Sequence, residues 1–176
     1  MTVRSGFVKQ GPDTMGWLID YEVRPSRIHG LGLFTRQPIK QGEKIWLFDR
    51  SMNASGPAEL GALEPSELSD ILLGGYFHFT SQRFVWSIGD MRFMNHAEGR
   101  MANIGIREWT ALDEDHSMAL RDIAPGEELF EDYEFFSIFN LPMDHWLRAL
   151  YADFCPEQYD FMLDVRNRRS AFRETG

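Results

Sequence analysis

Arg92-Phe93-Met94-Asn95-His96 and Arg121-Asp122-Ile123-Ala124-Pro125-Gly126-Glu127-Glu128-Leu129-Phe130-Glu131-Asp132-Tyr133 are the two stretches on which the reading of this chain turns. Asn carries two donors and an acceptor, and His donates or accepts, so Asn95-His96 can read a polar ligand head. The same pair can equally be a buried, internally satisfied one. Tyr133 closes an acidic segment, either as a reactive hydroxyl or as a core aromatic. A third stretch, Arg27-Ile28-His29-Gly30-Leu31-Gly32-Leu33-Phe34, spaces two glycines so that backbone can approach a ligand closely, or so that the chain can simply turn.

Working outward, the pattern is one of short strands. Trp17 to Val23, Leu33-Phe34, Lys44 to Phe48, Tyr76 to Phe79, Arg83 to Ile88, Ile104 to Ile106, Met118 to Leu120 and Glu128 to Tyr133 are rich in aromatic and β-branched residues. Pro25 to Gly32, Pro38 to Gly42 and Pro125-Gly126 punctuate them as turns. Gly89-Asp90 reads as a two-residue turn joining antiparallel strands. Ser51 to Gly61, small and polar, reads as loop. Pro65 to Leu73 predicts a short helix, with Pro65 in the first turn and Leu68, Ile71 and Leu72 at helical spacing. From Pro142 the period becomes helical: Trp146, Leu147, Leu150 and Tyr151 form one apolar face, and Tyr159, Phe161, Met162 and Val165 another beyond Pro156. The expected class is mainly β with C-terminal helices. The missing βαβ alternation disfavours a doubly wound nucleotide-binding sheet. The expected organisation is an arm over residues 1–16, one domain over 17–135 with an insert at about 50–75, and a helical extension over 136–176.

Composition narrows the function. The 176 residues carry a net charge of −9, which argues against a nucleic-acid-binding face and favours a cationic ligand. Ten carboxylates and one basic residue, Arg121, fall between Glu108 and Glu134, as a solubilising face or as an acidic rim for a basic substrate. Arg166, Arg168, Arg169 and Arg173 read as a solvated helix end. No apolar run comes near the ~18 residues of a membrane span. Met1 to Lys9 has no apolar region of the secretory kind. The single Cys155 excludes an internal disulfide and a multi-cysteine zinc cluster, so no metal is expected, and it suits an intracellular compartment, cytoplasmic or nuclear.

In this order and spacing, the three motifs resemble those of the SET-domain protein-lysine methyltransferases, over roughly Tyr21 to Tyr133. The resemblance implies small curved β-sheets around a knot-like crossing, in which the Asn-His segment passes beside the Asp-Tyr segment. It implies S-adenosylmethionine as cofactor and S-adenosylhomocysteine as product. His29, Gly30, Leu31 and Gly32 would hold the amino-acid end of the cofactor, which Tyr76 also reaches. Arg92, Asn95 and His96 would flank its amino group and adenine. Tyr133 would be the catalytic tyrosine at the point of methyl transfer. The implied partner is a lysine-bearing, basic protein or peptide, with no direct nucleic-acid or membrane contact.

The chain departs from the family pattern in places. Ala97 stands where serine is usual. The C-terminal cysteine module of many members is absent, leaving Phe135, Phe136, Trp146 and Phe154 as candidates to close the site. Phe48 falls where a second channel tyrosine is common, and Glu131 where Phe or Tyr is common, so both are expected to line the substrate channel. Glu131 can pair with an ammonium, slow the reaction by favouring the charged amine, or point to solvent. An inactive SET-like module that binds a cationic peptide or the cofactor is the alternative function.

Overall fold

The computed structural model describes residues 16–47, 53–86, 89–106 and 116–174, with side chains to residue 170. Phe48 lies outside the described residues, as do 108–115 of the acidic stretch. β1 (Tyr21–Pro25) and β2 (Leu31–Thr35) form an antiparallel hairpin in register Tyr21 with Thr35. Its turn closes where the Ser26 N–H donates to the Gly30 carbonyl (3.0 Å), with Gly30 at φ 49°, a left-handed conformation that glycine adopts without strain. β2 is the buried strand of the pair, with Leu33 inaccessible and Phe34 nearly so.

The central sheet is built from β3 (Lys44–Leu47), β7 (Asn95–His96), β8 (Ile104–Gly105), β9 (His116–Ala119) and β10 (Phe130–Glu131), in the order β3-β9-β8-β10-β7. β10 runs parallel to both β7 and β8 and lies between them. Residues 97–103 join β7 to β8, so the later segment threads between two strands that this short connection already links. This is the knot-like crossing. Its strands are only two residues long, too short to hold by ladder bonds alone. Buried Asn103 sutures them: its Nδ2 donates to the Glu128 carbonyl (2.7 Å), and its Oδ1 accepts the Phe130 N–H (2.8 Å).

A second sheet, β4 (Asn53–Ser55), β5 (Gly75–His78) and β6 (Arg83–Trp86), is antiparallel in the order β4-β6-β5. α1 (Pro57–Leu60) and α2 (Pro65–Leu73) sit beside it. The stretch Ser51 to Gly61 is therefore not simply loop, because Asn53 to Ser55 pair with β6 and Leu60 is fully buried. Gly89-Asp90 does not make a hairpin either. It leads into a 3-10 turn, Asp90–Phe93, because Asn95-His96 finds its partner in β10 and not in β6. α3 (Trp146–Phe154) and α4 (Pro156–Glu174) follow as the sequence period predicts.

Two apolar clusters result. One joins Leu33, Ile39, Ile45, Ile104, Ile123 and Leu129 from the hairpin and central sheet. The other joins Leu60, Leu68, Leu72 and Phe84 to Leu147 and Tyr151 of α3. Fully burying a leucine or phenylalanine contributes about 1.5–3 kcal/mol, so α3 is structural to the insert it covers. Among the described residues no helix is long and apolar enough to cross a membrane.

Candidate active site

Phe130 pairs with Asn95 and Glu131 with His96, and this register sets the site. Asn95 Nδ2 lies within donating distance of the His29 carbonyl (3.2 Å), the Leu31 carbonyl (3.1 Å) and Glu128 Oε1 (2.8 Å). Glu128 Oε2 accepts from Ser26 Oγ (3.0 Å), which in turn accepts the Ile28 N–H (2.9 Å). Asn95 thus anchors the Gly30–Gly32 turn to the crossing. Gly32 is required here, since a Cβ would stand 2.1 Å from Glu128 Oε1. At Gly30 a Cβ would meet nothing within 4 Å, so the outer face of the turn is open.

His96 Nδ1 accepts the Tyr133 N–H (3.1 Å), which assigns the ring proton to Nε2 in the neutral form. That Nε2 is buried and has no hydrogen-bond partner among the described residues. It lies beside a small pocket shared with Phe161, Met162 and Val165 of α4. Burial holds the His96 pKa below its ordinary value, despite the opposing charges of Asp132 and Glu98. Tyr133 Oη donates to the Met94 carbonyl in a short contact. Burial raises its hydroxyl pKa well above the ordinary tyrosine value, and the nearby Glu131 charge adds to this, so Tyr133 stays protonated.

A cavity of about 120 Å³ opens between the two clusters. Tyr76, Arg92, Glu131 and Tyr133, four of the residues expected at the site, share its wall with Trp46 and Phe136. Arg92 also lies over the Phe93 ring, 4.7 Å from its centre. Glu131 is only 5% exposed and accepts from Ser117 Oγ (3.1 Å), so it does not point to solvent. Asn95 and the His29–Gly32 turn stand apart from this wall, and His96 faces the smaller pocket. Of the aromatic candidates to close the site, Phe136 does line the cavity, with its ring 4.8 Å from that of Tyr76. Trp146 and Phe154, the first and last residues of α3, instead pack against the core.

Two readings of charge need correction. Glu131 and Asp132 are buried, and Glu128 is committed to Asn95 and Ser26, so this part of the acidic stretch is internal and not a rim. Arg166 and Arg168 of α4 are exposed as expected and the Arg173 side chain lies outside the described ones, but Arg169 is not part of a solvated end, and three of these arginines have partners. Arg169 pairs with Asp132 (2.6 Å) and Glu134 (2.5 Å), Arg168 pairs with Glu98 (3.0 Å), and Arg166 donates to the Phe139 carbonyl. The places of Ser117, Glu128, Arg169, Tyr151 and Met162 at the site escaped the sequence reading. Only the helical period of the last two gave a signal, and it indicated burial alone.

A family model described as SET domain matches residues 30–134, more than half of the chain. Among solved structures, a Neurospora SET-domain histone lysine methyltransferase is similar at 18% identity and a TM-score of 0.47, over 67% of this chain and 53% of that one. This chain therefore spans about half the length of that relative. A Plasmodium falciparum candidate histone methyltransferase is similar at 17% identity and a TM-score of 0.45, over 65% of this chain and 93% of that one. No curated protein matches at a comparable level. The mainly β architecture, its threaded crossing and the matched residues agree: the chain belongs to the SET-domain family.

Proposed function

We propose that the protein is an S-adenosylmethionine-dependent protein-lysine N-methyltransferase. The observation that carries this reading is the parallel pairing of Asn95-His96 with Phe130-Glu131, which sets Tyr133 on the Met94 carbonyl at the cavity wall. The residues fit the cofactor. Among the described residues the buried Nε2–H of His96 has no partner and is a donor in want of an acceptor, the face of the turn at Gly30 is open, and Arg92 lines the cavity. The His29–Gly32 turn, Tyr76, Arg92, Asn95 and His96 would hold it. When bound, the cofactor supplies a methyl group on a sulfonium, an electrophile that needs no further activation.

The task left to the chain is alignment and desolvation. Holding the amine in line is a proximity effect worth up to roughly 7–11 kcal/mol. Tyr133, kept protonated, orients the amine lone pair and cannot itself become the base. The Met94 carbonyl is placed to accept weak C–H···O contacts. Trp46, Phe136 and Tyr76 give the wall an apolar part, which disfavours the ammonium form of lysine. In this reading residues 17–135 form the catalytic unit and 136–176 an extension that closes it. The substrate is a lysine-bearing basic protein, and the location is intracellular. The buried acid Glu131 favours one other reading, a module that binds a cationic peptide without turnover.

The test is transfer of labelled methyl from S-adenosylmethionine to a mixture of basic proteins, with mass spectrometry of the products. Methylated lysine is expected. Cofactor binding without transfer would favour the binding module, and no cofactor binding at millimolar concentration would overturn both readings.

A further inference from the structure

Among the described residues, Glu131 is the one buried carboxylate of the cavity wall. Its side chain accepts a single hydrogen bond, from Ser117, and pairs with no Lys or Arg among the described residues. The other buried acid of the crossing, Asp132, is by contrast neutralised by Arg169 and bonded by the Gly99 and Glu134 N–H groups. A buried carboxylate left without a cation is costly unless a partner arrives or it takes a proton. The wall around it, with Trp46, Tyr76 and Phe136, is apolar enough to make either outcome strong.

We propose that Glu131 forms a cation subsite in the cavity, holding the substrate's amine as an ammonium and taking its proton. The inference rests on the methyltransferase reading for its catalytic half, but not for the subsite itself. One N–H bond of the ammonium breaks and its electron pair stays on nitrogen. One O–H bond forms on the carboxylate oxygen not engaged by Ser117. A cation and an anion become a neutral amine and a neutral acid, which suits a cavity whose wall is partly apolar. The acid returns its proton to solvent when the site reopens. Tyr133 cannot take this role, because its hydroxyl is held protonated and donates to Met94.

Among the described residues, the charged and titratable groups around Glu131 are Asp132 and Tyr133 on its own segment, His96 at its register position on β7, His116 next to Ser117 on β9, and Arg92, Tyr76 and Tyr151 elsewhere on the wall. Burial pushes the Glu131 carboxyl up to about 7, against the Ser117 hydrogen bond and with the Asp132 charge. The group therefore changes charge near neutral pH, as a proton acceptor should.

The experiment follows the Glu131 carboxyl carbon by NMR in glutamate-labelled full-length protein without cofactor, the signal being assigned by its loss in Glu131→Gln. Saturating n-butylammonium chloride should lower the midpoint of titration by a pH unit or more, because the cation binds the ionised form. A midpoint unmoved by n-butylammonium would overturn the subsite. Ser117→Ala, which keeps the carboxylate and removes its donor, should move the midpoint upward. In methyl transfer, the acid limb of kcat should track the same midpoint and shift with Ser117→Ala. Glu131→Gln should lose roughly a hundredfold at neutral pH and recover as the pH approaches that of the free amine. A Gln variant with the wild-type rate and profile would overturn the proton transfer. A shift of the carboxyl with n-butylammonium but no methyl transfer by the wild type would uphold the subsite and remove the methyltransferase reading.

Discussion

The amide nitrogen of Asn95 has two hydrogens and three acceptors around it, two carbonyls of the turn and Glu128 Oε1. Asn95→Ala leaves these oxygens without a donor and should cost about 1–3 kcal/mol of stability. It should also remove most cofactor affinity by freeing the turn. Asn95→Asp should be worse at neutral pH, since it sets a second carboxylate against Glu128, and should recover toward the Ala variant on acidification. Denaturant titration at two pH values checks both. Tyr133→Phe keeps the ring but leaves the buried Met94 carbonyl without its donor, so it should cost about 1–3 kcal/mol of stability with the fold and cofactor affinity kept, while kcat falls by roughly 10²-fold or more. Stopped-flow or single-turnover transfer would show an unchanged rate if another group positions the amine. Glu131 adds a pH signature. Its carboxyl goes from an ordinary 4.5 to about 7 on folding, so the folded chain binds more protons than the unfolded one between these values. Its contribution is full below 4.5 and is lost as pH rises through about 7, with an upper magnitude of about 3 kcal/mol. Glu131→Gln should therefore gain on the wild type in thermal stability at pH 8 and show no such gain at pH 5.

At the scale of elements, α4 holds the crossing from outside. Arg169 bridges Asp132 and Glu134, the residues on either side of Tyr133, and Arg168 reaches Glu98 in the connection that arches over β10. Asp132 is buried while Arg169 is about a quarter exposed, so removing the arginine strands a buried charge in a site that retains some solvent. Arg169→Met should cost about 2–3 kcal/mol, toward the low end for broken buried pairs, and lower Tm by about 5–10 °C. Arg169→Lys should recover only part of this, because an ammonium lacks the fork that spans two carboxylates. Scanning calorimetry of the three proteins decides it. α2, α3 and α4 were legible in the sequence because each has a long enough apolar period, with Pro65 and Pro156 at helix starts. β4 was not, since Asn-Ala-Ser has no strand propensity and becomes a strand only by pairing with β6. The Asn-His and Asp-Tyr segments were legible through their motifs. Ser117, Glu128 and Arg169 were not, because their roles come from side-chain contacts between segments far apart in sequence, which local pattern does not encode. Arg169 looked like part of a solvated end for the same reason: Asp132 precedes it by 37 positions.

At the scale of the molecule, the cavity lies where the two apolar clusters meet, with Leu72 and Tyr151 contributed by one and Trp46, Val85 and Met94 by the other. The C-terminal helices belong to the first of these cores. Leu147, Tyr151 and Cys155 are buried in it, and Tyr151 Oη donates to the Leu72 carbonyl (2.5 Å) at the end of α2. Deleting residues 142–176 would expose the faces of α2 and the β5–β6 sheet that these side chains cover. Each large apolar side chain lost there forfeits about 1.5–3 kcal/mol, and several together exceed much of the 5–15 kcal/mol by which a domain is usually stable. The Arg169 bridge to the crossing would go as well. The truncated chain should therefore lose its cooperative melting transition and bind a hydrophobic dye, and S-adenosylhomocysteine should no longer raise its Tm as mass action requires of a ligand for the folded state. Single-site Arg169→Met, which spares the core, should keep both the transition and the ligand-induced rise. A truncated chain that melts sharply at the full-length temperature would mean that the helices are appended to a self-sufficient sheet domain, and that the cavity is closed by something other than α3 and α4.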